Sequence, residues 1–531
     1  MTADTWSWAF EARSIQDYLF ETGRLADAVG ASLLVDRLTG DLADDPAPGD
    51  DLLTAVLRAA RLEGQVRFSR RAGGSFIAFA DARSLLVRAR LLWHAALLAN
   101  APGLRWSDAL AEGADALQAA RAALAQAQVS GRLDPPRLPE ATPAQRRVPR
   151  TGQPAERLAR LGAKGEEPVD AATLVRRRHS HAAGRRLTAR FAPAVELSWP
   201  TDLDPGADED GATAFPFLGS DRDVAFVHAD GNGLGALLRR LDAAVAPGEY
   251  VRTYAAFSRA ISLATREAAA DATAQVLLPA CVGRRVPARP LVLGGDDLQI
   301  IVRADLAVPF VAAFLRAFEV RSAHHLQPLH GVLELAEGQG LTAAAGVLVA
   351  KANHPFAAAA EHAGALCARA KRAIKREAVE AGRAMPLSAL ALERAQASLH
   401  DGEAAALPGG LVLGLAAYAL TDRATSLPRL HDVQLLADAL GAAAAPRGPA
   451  RRLIADLHTD LALARERYRR MQEVQGKGWE AVAAALQRLG VQAGAELPFT
   501  AAGVSPWQDA LLLRDLAPAG TGARHHELEP A

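Results

Sequence analysis

Leu291-Val292-Leu293-Gly294-Gly295-Asp296-Asp297-Leu298-Gln299-Ile300-Ile301-Val302 is the stretch on which the fold turns. Two apolar runs, Pro290 to Leu293 and Leu298 to Val302, flank a Gly-Gly-Asp-Asp tip, the pattern of a buried β-hairpin. Adjacent carboxylates at such a tip repel each other and lose solvation. A fold that keeps them needs a counter-charge, which a divalent cation supplies. Upstream lies Phe226-Val227-His228-Ala229-Asp230-Gly231-Asn232-Gly233-Leu234-Gly235. Here an apolar strand, Asp223 to Ala229, runs into an acidic residue and a Gly-rich turn that opens a helix. Such a turn aims backbone N–H groups at a phosphate. Gly and Asp are also ordinary turn formers, so either motif alone reads equally as a surface turn. Together, each after an apolar strand, they point to chemistry.

Working outward, helices are expected over Tyr250 to Val276, Val308 to Val320 and Pro355 to Arg383, with a strand over Leu341 to Val349. The order is βαββαβα. The N-terminal part repeats it: a strand over Trp6 to Ala12, helix over Ser14 to Leu42, a hairpin (Gln65 to Phe68 and Phe76 to Ala80) across Gly73-Gly74, a helix over Ser84 to Asn100, a strand over Leu104 to Leu110 and a helix over Ala114 to Gln128. Two hairpins with Gly-Gly turns in the same order indicate a duplicated fold. The fold class is α+β: two ferredoxin-like (βαββαβ) palms and an α-helical C-terminal bundle. The expected divisions are 1–133, first palm; 134–215, connecting region; 216–386, second palm; 387–517, helical C-terminal domain, with Leu411 to Leu420 among its helices; and 518–531, a disordered tail. In a ferredoxin-like sheet the hairpin flanks the first strand, which sets Asp230 beside Asp296 and Asp297. That cluster suits one or two Mg²⁺ or Mn²⁺ ions used for nucleotidyl transfer.

Composition sets the limits. Hydrophobic residues make up 50% and charged residues 23%, as in a folded soluble protein. Lys+Arg 60 balances Asp+Glu 60, so no global field draws in a polyanion. No apolar run is long enough to span a membrane, and no signal-peptide pattern opens the chain, so a cytoplasmic protein without a membrane partner is expected. Only Cys281 and Cys367 occur, which excludes a disulfide framework and a cysteine zinc site. Lysine is scarce: Lys164, Lys351, Lys371, Lys375 and Lys477 are all there are. Three of them fall between Lys351 and Lys375, in a chain that otherwise uses arginine, and this hints at a site that wants a compact ammonium. The basic run Arg176 to Arg186 reads as a solvated helix face or loop, with phosphate contact as the alternative.

Gly294-Gly295-Asp296-Asp297, Asp230-Gly231-Asn232-Gly233 and the later Ala345-Gly346-Val347 resemble the large polymerase/cyclase-like subunit of type III CRISPR effector complexes, a two-palm family related to GGDEF cyclases. The resemblance implies that the second palm makes cyclic oligoadenylate from ATP, other NTPs being possible. It implies metal binding by Asp230, Asp296, Asp297 and the Gly231 carbonyl. It implies nucleotide contacts from Asn232, Gly233, Gly294, Gly295, Lys371, Lys375 and Lys351, and a degenerate first palm whose Ser32 and Ser75 line the cleft, with Arg13 where a metal-binding Asp would be. It implies protein subunits of an effector complex and guide or target RNA as partners. Many members open with a His-Asp nuclease domain; no such doublet precedes the first palm here, and no DNase activity is expected. Many also carry a cysteine zinc ribbon between the palms, and no cysteine remains there. Two alternatives stand beside a nucleotidyltransferase: a catalytically silent structural subunit of an RNA-guided ribonucleoprotein, and a polymerase or cyclase of a non-CRISPR defence system.

Overall fold

The computed structural model describes residues 5–44, 51–130, 142, 144–160, 165–182, 185–203, 213–218, 221–395, 407, 410–421, 423–442 and 447–517. Lys164, most of the acidic stretch 202–211 and the tail expected to be disordered lie outside them.

The first palm comprises β1 (Thr5–Arg13), α1 (Ile15–Phe20), α2 (Leu25–Thr39), α3 (Leu52–Ala59), β2 (Arg67–Ala72), β3 (Ser75–Ala80), α4 (Arg83–Asn100), β4 (Arg105–Gly113) and α5 (Ala116–Ser130). Its sheet runs β2-β3-β1-β4. Alternation along β1 explains the layers. Trp8 and Phe10 point one way, where Phe10 stacks on Phe76 and meets Trp93 of α4 edge-on. Ala9 points the other way, to a small cluster with Ala109, Ala111 and Ala123 under α5. The long helix expected over Ser14 to Leu42 is two helices, broken at Gly23, whose φ of +67° a helix does not hold.

The connector holds β5 (Arg157–Arg160), β6 (Glu166–Val169), α6 (Ala171–Ala182) and α7 (Arg185–Phe191). Two arginines of the basic run, Arg176 and Arg177, are neither solvated nor free for phosphate. Arg176 is fully buried, bonds Glu21 at 2.5 Å and lies over the Tyr18 ring at 4.2 Å. Arg177 pairs with Asp27 and Glu167. These positions therefore staple the connector to α1 and α2; only Arg178 of the three is exposed.

The second palm comprises β7 (Asp223–Gly231), α8 (Leu234–Ala244), α9 (Tyr250–Ala272), β8 (Ala288–Gly294), β9 (Asp297–Arg303), α10 (Ala304–Leu326), α11 (His330–Leu333), β10 (Ala343–Lys351) and α12 (Phe356–Glu380). Two expectations about the next segment need correction. β11 (Ala389–Arg394), β12 (Val412–Leu413) and β13 (Tyr418–Ala419) replace helix there, and the six-stranded sheet runs β13-β11-β10-β7-β9-β8. β11 pairs in parallel with β10, so it is covered on both faces and its Ala389-Leu390-Ala391-Leu392 run lacks polar alternation. Leu411 to Leu420 has helix-like apolar spacing, yet its backbone is spent on strand pairing: β12 pairs with β14 (Val504–Ser505) and β13 with β11. The helices α13 (Leu430–Ala442), α14 (Arg447–Thr459), α15 (Leu461–Gln475), α16 (Trp479–Arg488) and α17 (Trp507–Leu516) form the bundle. Buried Asp509 of α17 accepts from the Leu415 amide and the Tyr418 hydroxyl and so ties the bundle to the sheet.

The palms interlock. Arg266 of α9 pairs with Asp41 and Asp44, Arg121 of α5 with Asp242 of α8, and the Ser32 hydroxyl of α2 donates to the Leu291 carbonyl of β8. The two Gly-Gly turns meet: a Cβ on Gly294 would touch the Gly73 backbone at 3.4 Å.

Candidate active site

Asp230 near the end of β7 stands directly opposite Asp297, the first residue of β9. Like charges facing each other across a ladder destabilise it. Lys371 answers them: its ammonium donates to Asp230 Oδ2 and, at 2.8 Å, to the Gly231 carbonyl. It reaches there because α12 lies close on β10. A Cβ at Gly346 would collide with the Ala363 carbonyl and the Cys367 nitrogen, so glycine permits the approach, and Lys371 follows one turn after Cys367.

The turn is equally constrained. Gly294 pairs with Asp297, leaving Gly295 and Asp296 as a two-residue loop. Gly295 has φ +60°, at the loop position where a type II′ turn requires glycine. Its carbonyl accepts a 2.7 Å hydrogen bond from Thr265 of α9. Asp296 folds over the end of β7, where a Cβ on Gly231 would lie 3.0 Å from its Oδ2. Burial, helped by hydrogen bonding to Asp230 and by the charges of Asp230 and Asp297, pushes the Asp296 pKa up to about 8. Burial, with the Asp230 charge next, likewise pushes the Cys367 thiol up to about 12, so it is an inert wall.

Carboxylate and carbonyl oxygens are the donors a hard divalent ion takes. Among the described residues no three His, Cys, Asp or Glu side chains already converge on one point. Asp230, Asp296 and the Gly231 carbonyl form one side, and Asp297 leans on His228, whose Nε2 is 3.2 Å from Asp297 Oδ1. The set fits such an ion, because a cation would offset both the burial of Asp296 and the like charges of Asp230 and Asp297 beside it. Burial lowers the His228 pKa, but the hydrogen bond and charge of Asp297 outweigh this and the net shift is upward.

Not every expected residue arrives. Lys351 sits at the opposite end of β10, across from Asp223, and pairs with Asp221 and Asp223 on the surface. Asn232 is buried and its carboxamide nitrogen donates to Thr342 and the Leu387 carbonyl, so it fastens the loop. Gly233 takes φ +73° to open α8. Lys375, one turn past Lys371, is exposed. Ser32 and Ser75 are buried, the latter donating to the Ala72 carbonyl.

The duplicated sheets also correct the equivalence of the two palms. Ala72 and Ser75 close the first-palm turn as Gly294 and Asp297 close the second. Ser75 therefore matches Asp297, and Gly74 matches Asp296. Ser75 faces Glu11, so Glu11 and not Arg13 takes the place of Asp230. Arg13 instead donates to Ser107. His228, Thr265 and Gln16 were not assigned roles from sequence. His228 lies inside the quoted motif, but a lone histidine on an apolar strand carries no signal until its neighbours are known.

Residues 223–380 match the family described as Cas10/Cmr2, second palm domain. This part of the chain is similar to a Cas10/Cmr2 palm. The match agrees, over the second palm, with the resemblance read from the motifs, and the matched stretch contains every carboxylate of the cluster as well as Lys371. A search of curated proteins returns no match. Among solved structures, a Csm1–Csm4 cassette in complex with cA3 aligns with a TM-score of 0.50 at 11% identity, over 97% of this chain and 70% of that one. Csm1 of T. onnurineus gives 0.49 at 11% identity, over 96% and 70%. A Csm1–Csm4 cassette with AMPPNP gives 0.40 at 13% identity, and there the chain spans only 53% of the matched chain. At 11% identity the first of these, with its TM-score of 0.50, shows a likeness of fold alone. No helix among the described residues is long and apolar enough to cross a membrane.

Proposed function

We propose that the chain is a metal-dependent nucleotidyltransferase that joins ATP into linear or cyclic oligoadenylate within a type III CRISPR effector complex. One observation carries the reading: Asp230 of β7 faces Asp297 of β9, the turn residue Asp296 folds over the end of β7, and the Lys371 ammonium sits on Asp230 and the Gly231 carbonyl. The matched Csm1–Csm4 cassette that binds cA3 supports the product class and a protein partner of the Csm4 kind.

In this reading a 3′-hydroxyl oxygen attacks the α-phosphorus of a second nucleotide and pyrophosphate leaves. Mg²⁺ or Mn²⁺, bound by Asp230, Asp296, Asp297 and the Gly231 carbonyl, would acidify the hydroxyl and neutralise charge on the α-phosphate. Asp296 would hold such a cation as the carboxylate, so its binding would be coupled to loss of the carboxyl proton. Lys371 then turns from Asp230 to the triphosphate, where a compact ammonium offsets developing charge. Gly294 and Gly295 carry no side chain, so a phosphate can approach the turn backbone. Thr265 fixes that turn through the Gly295 carbonyl. Lys375 extends the positive face of α12 for the leaving pyrophosphate, and guide or target RNA gates the reaction.

The test is to incubate purified protein with each NTP and Mg²⁺ or Mn²⁺, with and without RNA and neighbouring subunits, and to analyse products by mass spectrometry. Oligoadenylate is expected. Absence of any product from folded protein under every condition leaves the structural-subunit reading in its place.

A further inference from the structure

We propose that His228 is a positioning residue for Asp297 and that Gln16, from the first palm, sets its imidazole. The inference rests on the reading of Asp297 as a metal ligand. His228 precedes Asp230 by two residues on β7, so both side chains lie on the α12 face of the sheet. Its Nε2 lies 3.2 Å from Asp297 Oδ1, and its Nδ1 is 3.4 Å from Gln16 Nε2 of α1. One neutral tautomer serves both contacts: Nδ1 accepts from the Gln16 carboxamide, and Nε2–H faces the carboxylate. Asp297 Oδ1 is buried without a hydrogen-bond partner among the described residues, and the His228 imidazole is the polar group that approaches it, at 3.2 Å. Holding that oxygen leaves Oδ2, 3.5 Å from Gln299, to turn to a cation.

The duplicated fold provides an internal control. The strand position equivalent to His228 in the first palm is Ala9, opposite Ile77 as His228 is opposite Gln299. There Ser75 replaces Asp297 and no carboxylate needs orienting. The imidazole is present in the palm that keeps the acid and absent from the one that lost it. Gly364 leaves room for the ring, with a Cβ there reaching within 3.5 Å of Nδ1. Because Gln16 belongs to the other palm, the metal ligand is oriented across the interface, so the first palm contributes to the site without touching the metal.

The experiment measures Mn²⁺ affinity of the full chain by calorimetry, without nucleotide, alongside thermal melting. His228→Ala is expected to weaken Mn²⁺ about ten-fold, in the range for removing a group that orients a metal ligand. His228→Gln, which keeps an N–H donor, is expected to recover most of that loss. Gln16→Ala, which leaves the second palm's own packing untouched, is expected to weaken Mn²⁺ a few-fold, and its effect is expected to vanish in the His228→Ala background. If Asp297→Asn loses Mn²⁺ while His228→Ala and Gln16→Ala bind as wild type, the positioning role is wrong and the metal reading stands. Equal losses in His228→Ala and His228→Gln reduce the residue to packing and also overturn the proposal. Wild-type protein that takes up no Mn²⁺ overturns both readings.

Discussion

Asp296 is an active-site residue whose chemistry is strongly displaced by its surroundings. Its pKa rises from an ordinary 3.8 to about 8, chiefly through burial. A raised carboxyl pKa means that the folded state holds a proton which the unfolded state has lost. Its contribution to stability is present below about pH 4 and disappears as pH rises toward and through 8. Metal-free protein should therefore melt lower at pH 8.5 than at pH 6, and added Mg²⁺ should raise the melting temperature more at the higher pH. Melting curves with EDTA and with Mg²⁺ at the two values check this; an Mg²⁺ effect independent of pH contradicts it. Replacing both turn acids, Asp296→Ala with Asp297→Ala, should abolish oligonucleotide formation, read by mass spectrometry. Asn232→Ala should cost about 1–2 kcal/mol of stability, because it strips hydrogen bonds from Thr342 and the Leu387 carbonyl. Denaturant melts report that loss. Direct nucleotide contact by Asn232 would instead show as weaker ATP binding at unchanged stability.

At the scale of the element, α12 decides where the ammonium goes. Its alanine-rich inner face and Gly346 on β10 let helix and sheet approach closely enough for Lys371 to meet Asp230. A Gly346→Ala substitution forces the helix outward and should cost about 3 kcal/mol, the upper end of ordinary overpacking. Mn²⁺ or ATP affinity should fall with it, since Lys371 is displaced; unchanged stability would show that the layers can part freely. The connector offers a second case. Arg176→Ala removes the buried partner of Glu21 and the ring contact with Tyr18, and a loss of about 3 kcal/mol is expected. Exposed Arg178→Ala should be near neutral. Chemical denaturation of the two variants separates a staple from a solvated face.

At the scale of the whole molecule, the contacts between the palms predict that they unfold as one unit. Arg266, Arg121 and Ser32 cross the interface, and α9 packs between the halves while holding the Gly295 turn. Hydrogen exchange should therefore show β1 and β7 losing protection in the same opening event; separate events would mean that the interface adds little. By itself the sequence determined the second palm, the hairpin with its acids and the pairing of Asp230 with that turn. These follow from local patterns, namely apolar runs of strand length, glycines at turns and carboxylates at strand ends. Lys371 was legible as an exception in an arginine-rich chain. Tertiary structure alone decided the rest, because those features depend on partners far away in sequence. β11 became a strand because a neighbour offered a parallel edge, although its alanine-leucine run also suits a helix. Strand register put Glu11, not Arg13, in the place of Asp230. Packing buried Arg176, turned Asn232 inward and left Lys351 at the far end of the sheet. A side chain's type states which contacts it can make, and only the fold brings a particular partner within the few ångströms over which hydrogen bonds and ion pairs act.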